Sequence, residues 1–369
     1  MLERIQNQYY PDYVSPPGET LLELIDERGM SQAELARRMG RPKKTINEII
    51  KGKTAITPET AIQLERVLGV PAHFWNNRQM NFDQYIARME EEKKLRNRLN
   101  WLQKFPIQAM IIRGWIPEVG DDVGQLRELL NFLGTASPDQ WESLSQTKAV
   151  FRKTAAYESD PFAVIAWLRK GENEAEDIQC KTYDARAFER ILIEKIRPLT
   201  IEPPRIFQPA LESFCASAGV ATAFVPQLPK APVSGATRWL SPGKALIQLS
   251  LRYKTDDQLL FSFFHEAGHI LLHGKRDLFI EDQAMNGKKE DEADQFAADT
   301  LIPPVQLRVF LESWTPNVYP PTSRIVEFAD YVGVAPGIVV GRLQHDGRVP
   351  FSHFNHLKRR LAWVEEDEG

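Results

Sequence analysis

The chain has 369 residues, which is too long for one ordinary domain and favours two or three. Hydrophobic residues make up 43% and charged residues 26%, as in soluble globular proteins that bury a substantial core. A formal net charge of −4 and a pI near 6.1 exclude a general attraction to nucleic acid or anionic lipid, so any DNA contact needs a local basic patch.

The cysteine content and the N-terminus indicate a reducing compartment. The two cysteines, Cys180 and Cys215, are too few in so long a chain for a disulfide framework. The N-terminal sequence MLERIQNQYYPDY is polar and lacks the apolar segment of a signal peptide. No apolar run reaches the roughly 18 residues that a membrane span needs. We therefore expect a cytoplasmic protein.

The first folded segment has the pattern of two short helices joined by a tight turn. Ser31 followed by Glu34 is a capping box at the start of QAELARRM. Gly40 supplies the turn, and Pro42 suits the beginning of the next helix, PKKTINEIIKGK. The apolar residues that are spaced to pack these helices together are Leu35, Met39, Ile46, Ile49 and Ile50. This pattern predicts a helix-turn-helix.

The same segment is strongly basic. Residues 37–53 hold seven basic residues against one acid, a net charge of +6 over 17 residues, which suits contact with phosphates. The first turn of a recognition helix normally meets base edges, whereas more distant lysines contact phosphates. The predicted contacts to bases or nearby phosphates are Gln32, Arg41, Lys43, Lys44, Thr45 and Asn47, and the predicted phosphate contacts are Lys51 and Lys53.

A family resemblance covers about 60 residues here. The sequence GETLLELIDERGMSQAELARRMGRPKKTINEIIKGKTAITPETAIQLERVLGVPAHFWNNRQ resembles the XRE-type helix-turn-helix of HigA-like antitoxins, including its INEI, ITPETA and FWNNRQ segments. Those proteins bind operator DNA, often as dimers, and many neutralise a partner toxin. The resemblance implies double-stranded operator DNA as a partner and a homodimer. The alternative is a helical module that has lost DNA binding and serves only protein contacts.

The middle of the chain is predicted to be helical. An amphipathic helix is expected from about residue 83 to 104, through the charged run EEEKKLRNR, with a solvated face that joins two domains. Ser137 is an N-cap candidate, and Gly171 is expected to end the helix FAVIAWLRKGE. After residue 200, the segments ATAFVPQLP and ATRWLSPGKALIQLSL predict short strands. Two helices are predicted next, at about 256–273 and 290–301, and SRIVEFADYVGVAPGIVVGRL predicts a further helix pair.

The strongest chemical signal is the motif His265-Glu266-Ala267-Gly268-His269. Thr255 with Gln258 forms a capping-box candidate upstream, so the motif is expected well inside a helix. Residues four apart lie on one helix face, so both imidazoles can reach one metal ion, and Glu266 is placed to act on a water. A catalytic zinc site needs a third protein ligand and an open fourth position.

The third ligand is expected from a separate helix downstream. His273 lies about 12 Å along the helix axis from His265, too far for both to bind one zinc at about 2 Å, so a role beside the site or at the helix end is favoured. The segment EDEADQFAADTLIPP offers Glu292, which borders an apolar stripe. Glu290, two residues earlier, is the alternative ligand. A third interpretation treats both as ordinary surface carboxylates.

A second resemblance follows from these two segments. The sequence from GATRWLSPGKALIQLSLRYKTDDQLLFSFFHEAGHILLHG to EDEADQFAADTLIPP is similar to the ImmA/IrrE family of metallopeptidases, over roughly residues 200–345. The resemblance implies His265, His269 and Glu292 as Zn²⁺ ligands and Glu266 as the catalytic carboxylate. Family members are implied to cleave repressor proteins, so the expected substrate is a repressor, a toxin or the chain itself. This chain departs from the simplest pattern by carrying its own helix-turn-helix and a large helical insert.

Together these patterns predict a mainly helical α+β protein in five segments. The predicted segments are an arm (1–18), a helix-turn-helix domain (19–80), a helical middle region (81–200), a zincin-like metallopeptidase domain with a small sheet (201–345) and a tail (346–369). The predicted function is a DNA-binding regulator with a zinc-dependent endopeptidase site, with manganese as the alternative metal. One competing hypothesis is an autorepressor whose zinc domain only senses or scaffolds. Another is a zinc hydrolase whose N-terminal module only dimerises. Tyr253, Arg238 and His345 are candidate oxyanion partners.

Overall fold

A computed structural model describes residues 14–143, 159–273, 279–281, 287–314 and 319–364 of the chain. The structure divides into two compact units, residues 1–99 and 100–369. The predicted arm up to residue 13 and the acidic end from residue 365 lie outside the described residues.

The first unit is a bundle of helices around one apolar core. Its helices are α1 (Pro17–Glu27), α2 (Gln32–Met39), α3 (Lys43–Ile50), α4 (Pro58–Leu68) and α5 (Ala72–Arg96). Ser31 caps α2 by accepting a hydrogen bond from the Glu34 amide at 3.2 Å, and Gly40 ends α2 in the left-handed conformation with φ of 65°. The predicted helix-turn-helix is therefore present as α2 and α3.

The core of this unit contains the side chains that the helix-turn-helix pattern predicts. Leu35, Met39, Ile46 and Ile49 are buried, and Ile50 packs against them while partly exposed. Gly18 on α1 lies so close to α3 that an added Cβ would be 2.1 Å from the Ile49 carbonyl oxygen. This close approach leaves no room for a side chain at residue 18.

Helix α5 differs in its limits from the predicted helix at residues 83–104. It begins at Ala72 because Pro71 stands at its N-cap, where a proline is tolerated, and it ends at Arg96. A 3₁₀ helix (Leu99–Lys104) follows it. The charged run EEEKKLR lies in the last part of α5 and is mostly exposed, as a solvated face requires.

The second unit begins with short helices and then forms a layered structure. Its first helices are α6 (Ile107–Ile112), α7 (Asp122–Leu133), α8 (Pro138–Ser143) and α9 (Pro161–Asp177). Ser137 accepts a hydrogen bond from the Gln140 amide at 3.3 Å and so caps α8, as predicted. The predicted helix end at Gly171 is wrong because α9 continues to Asp177. Gly171 instead faces the sheet, where an added Cβ would be 2.0 Å from Oε1 of Gln248.

The remaining helices follow in two groups around a sheet. They are α10 (Ala185–Ile191), which continues through a π-helical turn (Leu192–Ile196) to Arg197–Leu199, then α11 (Pro204–Ser217), α12 (Asp256–Leu272), α13 (Lys288–Leu301), α14 (Pro304–Glu312), α15 (Thr322–Val332) and α16 (Pro336–His345). The two predicted helices near 256–273 and 290–301 correspond to α12 and α13. The predicted pair in SRIVEFADYVGVAPGIVVGRL corresponds to α15 and α16.

The sheet contains the short strands that the sequence predicts, which are β1 (Val220–Phe224), β2 (Gly235–Ser241) and β3 (Lys244–Leu249). A further strand, β4 (Phe279–Glu281), was not predicted, and the spatial order is β1-β3-β2-β4. Strand β1 is parallel to β3, whereas β2 is antiparallel to both β3 and β4. In the β2–β3 pair, Thr237 is opposite Ile247 and Ala236 is opposite Gln248.

Side chains that alternate along the strands bind a different helix on each face of the sheet. On one face, Gln248 donates a hydrogen bond to the Trp167 carbonyl of α9 at 2.6 Å. On the other face, Thr237 donates to the Glu266 carbonyl of α12 at 3.1 Å. The N-terminus of α12 is fixed by Asp256, which accepts a hydrogen bond from the Arg359 guanidinium at 2.9 Å. The HExxH helix is therefore held between the sheet and the C-terminal segment that contains Arg359.

Helix α12 begins as predicted, but its cap is different. Thr255 occupies the N-cap position, yet its side chain makes no capping hydrogen bond, so the predicted capping box with Gln258 does not form. The Asp256 carboxylate accepts from the Asp257 amide at 2.9 Å instead. The structure agrees with the predicted mainly helical α+β class. Within the described residues, no helix is both long and apolar enough to cross a membrane.

Candidate metal centre and nucleic-acid interface

The two histidines of the HExxH motif point their rings into one place. His265 and His269 lie one turn apart on α12 and are 3% and 1% exposed. Their Nε2 atoms are 3.0 Å apart. The helix therefore brings both imidazoles to one point inside the protein, as the spacing predicts.

Glu290 on α13 is the third group at this point. Its Oε2 is 3.2 Å from Nε2 of His265 and 3.2 Å from Nε2 of His269. These three residues have ligand atoms within 4.8 Å of one another. Glu292, the predicted third ligand, lies elsewhere, with its Oε2 3.2 Å from Nε2 of His273. The structure contradicts the assignment of Glu292 and places the alternative, Glu290, beside the histidine pair.

Helical geometry explains why Glu290 faces α12 and Glu292 does not. Ala293, Ala297 and Leu301 form the buried stripe of α13. At 100° per residue, Glu290 lies about 20° from Ala297 around the helix axis, whereas Glu292 lies about 140° away. The spacing 290, 293, 297 and 301 was therefore the signal in the sequence that identifies Glu290. The position of Glu292 next to the buried stripe in the sequence was not sufficient to identify it as the ligand.

The three ligand atoms fit a zinc ion in both chemistry and spacing. In a tetrahedral site with Zn–N near 2.0–2.1 Å, ligand atoms lie roughly 3.3–3.4 Å from one another. The separations of 3.0, 3.2 and 3.2 Å are close to one face of such a tetrahedron. Two imidazoles and one carboxylate are a donor set that catalytic zinc sites use, and they leave a fourth position open.

The pKa values in this cluster favour the protonation states that a metal needs. Burial lowers the pKa of His269, which keeps the imidazole neutral. Burial raises the pKa of Glu290, but hydrogen bonds and charges from His265 and His269 outweigh it and bring the pKa to about 2. A neutral imidazole and an ionised carboxylate are the ligand forms.

Each of these two imidazoles has a partner on its Nδ1 atom. Nδ1 of His265 is 2.7 Å from Oδ1 of Asp294, and Nδ1 of His269 is 2.9 Å from Nδ1 of His273. Such partners fix the ring orientation and leave Nε2 for the metal. Asp294 was missed in the sequence, although it follows Glu290 by four residues and so shares its helix face.

Glu266 is completely buried beside the histidines. Its carboxylate lies against Gly235 of β2, where an added Cβ would be 2.7 Å from Oε1. Its main-chain carbonyl accepts the hydrogen bond from Thr237. Strand β2 therefore fixes both the backbone and the side chain of Glu266.

A cavity of about 640 Å³ opens beside this His–Glu cluster. His265 and Glu290 contribute to its wall, together with Tyr253 and His345, two of the candidate oxyanion partners. Arg238, the third candidate, lies on the opposite face of the sheet, where it pairs with Glu172 of α9. Burial there lowers the pKa of Arg238 to about 10. Because strand residues alternate between faces, Arg238 points away from Glu266, while its neighbour Thr237 points towards it.

The first unit presents most of its predicted DNA-contacting residues to solvent. Lys43 and Lys44 in the first turn of α3 are exposed, and so are Lys51 and Lys53 after it. Gln32, Thr45 and Asn47 are partly exposed. Arg41 differs, because its Nε donates to Oε1 of Gln63 at 2.5 Å and its guanidinium pairs with Glu59 at 3.3 Å. This engagement attaches the turn between α2 and α3 to α4.

These features define a two-part protein, with a helix-turn-helix unit followed by an α+β unit that holds an HExxH helix and a downstream carboxylate. Comparison with known families agrees: residues 21–75 match the family model described as helix-turn-helix, and residues 226–344 match the one described as the IrrE N-terminal-like domain. The chain therefore belongs to the helix-turn-helix family through its N-terminal part and carries an IrrE-like peptidase-family domain in its C-terminal part.

Individual relatives match the N-terminal part. An uncharacterised HTH-type transcriptional regulator, YddM of Escherichia coli K12, is 40% identical over 63 residues, which are 17% of this chain and 67% of that protein. Virulence-associated protein I of Dichelobacter nodosus is 34% identical over 77 residues, 21% of this chain and 71% of that protein. Among solved structures, the Pseudomonas aeruginosa antitoxin HigA with its higBA promoter is 31% identical, covering 22% of this chain and 90% of that one, with a TM-score of 0.22.

Proposed function

We propose that this protein is a DNA-binding regulator that also hydrolyses a peptide bond at a zinc site formed by His265, His269 and Glu290. The observation that supports this proposal most directly is the convergence of three buried ligand atoms, with a buried carboxylate in the same motif and a cavity beside them. The proposal assigns DNA binding to the predicted domain at residues 19–80 and hydrolysis to that at residues 201–345. Its partners are double-stranded operator DNA and a protein substrate.

The chemistry requires a base, a bound carbonyl and a path for one proton. When bound, Zn²⁺ supplies a Lewis acid that polarises the scissile carbonyl. Glu266 takes a proton from the attacking water, so that the water oxygen bonds to the carbonyl carbon. Glu266 then delivers that proton to the leaving nitrogen as the carbon–nitrogen bond breaks. Tyr253 and His345 line the cavity, where either side chain can donate a hydrogen bond to the substrate.

Substitution of Glu266 separates hydrolysis from metal binding. We expect wild-type protein with Zn²⁺ to produce new N-termini in a peptide library prepared from denatured whole-cell protein, read by mass spectrometry. The variant Glu266→Gln is expected to keep one zinc per chain and to produce none of these termini, because the amide cannot accept the proton. Equal cleavage by both proteins, or no cleavage by either, would overturn the proposed hydrolysis.

DNA binding is proposed from the exposed basic residues of α2 and α3 and the segment after them. Six of the seven basic residues between 37 and 53 are exposed, and Arg41 is the one committed to α4. Lysines at the start of a recognition helix contact bases or neighbouring phosphates, and binding through phosphates weakens steeply as salt rises. The relationship to an HTH-type transcriptional regulator is consistent with this assignment.

Charge reversal tests the DNA-binding surface with an internal control. We expect the double variant Lys43→Glu/Lys44→Glu to weaken binding to a fluorescently labelled duplex of random sequence by more than about tenfold and to flatten the salt dependence. The control is Lys93→Glu/Lys94→Glu, which makes the same charge change on exposed positions of α5. Equal weakening by both double variants would mean that net charge, and not α3, determines binding.

A further inference from the structure

A chain of side-chain contacts leads away from His269 to the surface. Nδ1 of His269 is 2.9 Å from Nδ1 of His273, and Nε2 of His273 is 3.2 Å from Oε2 of Glu292. Lys288 lies beyond, with Nζ 3.6 Å from Oε1 of Glu292. The side chains of His273 and Glu292 are 4% and 44% exposed, so the chain runs from the buried centre to solvent.

The end of α12 places His273 beside His269. His273 follows the last helical residue with extended backbone (φ −115°, ψ 161°), and its amide donates to the His269 carbonyl at 3.1 Å. Leaving the helix at this residue brings the His273 ring next to that of His269, at a centroid distance of 5.0 Å. His273 contacts a ligand without joining the three atoms of the metal centre.

Binding of a metal by His269 would set the direction of the hydrogen bonds in this chain of contacts. A ligand nitrogen must offer its lone pair, so Nε2 of His269 carries no proton and Nδ1 carries one. Nδ1 of His269 then donates to Nδ1 of His273, which must accept. A proton on the His273 ring therefore sits on Nε2, where it is donated to the Glu292 carboxylate. The reverse direction would protonate Nε2 of His269 and prevent ligation.

We propose that His273 and Glu292 are positioning residues that fix the tautomer and orientation of the His269 ring for metal binding. This inference rests on the proposed metal site. The two histidine ligands are then supported differently: His265 donates directly to a carboxylate, Asp294, whereas His269 donates to a second imidazole whose orientation Glu292 fixes. Because Glu292 is half-exposed, water can partly replace it, so His273 contributes more than Glu292.

The test compares two substitutions of His273 that keep different properties of the ring. His273→Asn keeps an acceptor oxygen near the position of Nδ1, whereas His273→Leu keeps apolar volume and removes the acceptor. Zinc affinity is measured by competition with a chromophoric chelator, with circular dichroism to verify folding. We expect His273→Leu to weaken zinc binding roughly 10- to 100-fold, and His273→Asn and Glu292→Ala to weaken it by a few-fold. The control is Asp299→Asn, two turns along α13 from Glu292, which should leave zinc binding unchanged.

Nitrogen NMR of the zinc-loaded wild type supplies a second, independent measurement. We expect the His273 ring to carry a proton on Nε2 and none on Nδ1. Three results would overturn the positioning role while leaving the metal site intact. They are a proton on Nδ1 of His273, an unchanged zinc affinity in His273→Leu, and equal losses of zinc affinity in His273→Leu and His273→Asn. If the wild type binds no zinc, or binds it as tightly after His265→Ala, the metal site is wrong and the positioning role is wrong with it.

Discussion

Gly235 of β2 lies directly against Glu266 of α12, so close that a Cβ at residue 235 would be 2.7 Å from Oε1 and 2.9 Å from Cγ of the glutamate. We expect Gly235→Ala to displace the Glu266 carboxylate and to lower kcat by roughly 100-fold, the effect of a misplacement near 1 Å. Zinc content should be unchanged, because the ligands lie on α12 and α13. The measurement is the rate of peptide hydrolysis together with zinc content by mass spectrometry.

The control for this variant is a glycine in the turn that joins two strands of the same sheet. An added Cβ at Gly243, between β2 and β3, meets only Thr182 Cγ2 at 3.4 Å, an ordinary contact. We expect Gly243→Ala to keep the wild-type rate. If Gly235→Ala also keeps it, the position of Glu266 against β2 is unimportant for hydrolysis.

Asp294 is expected to support metal binding through His265. Its Oδ1 accepts from Nδ1 of His265 at 2.7 Å and so holds Nε2 towards the metal centre. Asp294→Leu should weaken zinc binding roughly 10- to 100-fold, whereas Asp294→Asn, which keeps an acceptor, should cost less. The neighbouring Asp291→Asn is the matched control. Zinc affinity in Asp294→Leu equal to that of the wild type would contradict this role.

The sequence was most informative where a feature depends on neighbouring residues. The Ser31 cap, the helix pair α2–α3 and the helix that carries His265 and His269 all follow from spacings of a few residues. The choice between Glu290 and Glu292 was also encoded locally, in the 3.6-residue period of α13, but it required reading the stripe as an angle around the axis. The choice of Glu292, made because it is adjacent to the buried stripe in the sequence, was wrong.

Features that depend on distant segments could not be predicted from local patterns. Gly171 has the local signature of a helix end, yet its role is set by Gln248 on β3, a strand that follows much later in the chain. The contact of Gly235 with Glu266 and the exclusion of Arg238 from the cavity depend in the same way on how β2 packs against α12 and α9. A glycine signals a need for space or for an unusual backbone, and only the fold determines which of these applies.

The close packing of α9 on the sheet leads to a stability prediction. Gly171→Ala should force α9 away from Gln248 and strain its 2.6 Å hydrogen bond to the Trp167 carbonyl. We expect the free energy of unfolding to fall by about 1–3 kcal/mol. The measurement is the urea midpoint followed by circular dichroism. Gly120→Ala, where nothing lies within 4 Å of the added Cβ, is the control, and equal midpoints for the two variants would contradict this account.

The two cysteines are expected to be poor nucleophiles in the folded protein. Burial raises the pKa of Cys215 to about 12, and burial also raises the pKa of Cys180. Since the thiolate is the reactive form, little of either is present at pH 8. Ellman's reagent should therefore modify the Cys180→Ser variant only after denaturant is added. Rapid modification of Cys215 in that folded variant would contradict its place in the core.

The most direct test of the account is the zinc content of three proteins after dialysis against metal-free buffer: wild type, Glu290→Ala and Glu292→Ala. The account predicts one zinc per chain in the wild type and in Glu292→Ala, and little or none in Glu290→Ala, because Glu290, unlike Glu292, lies against both imidazoles. Full retention of zinc by Glu290→Ala would contradict the account. The contradiction would be strongest if Glu292→Ala lost its zinc at the same time.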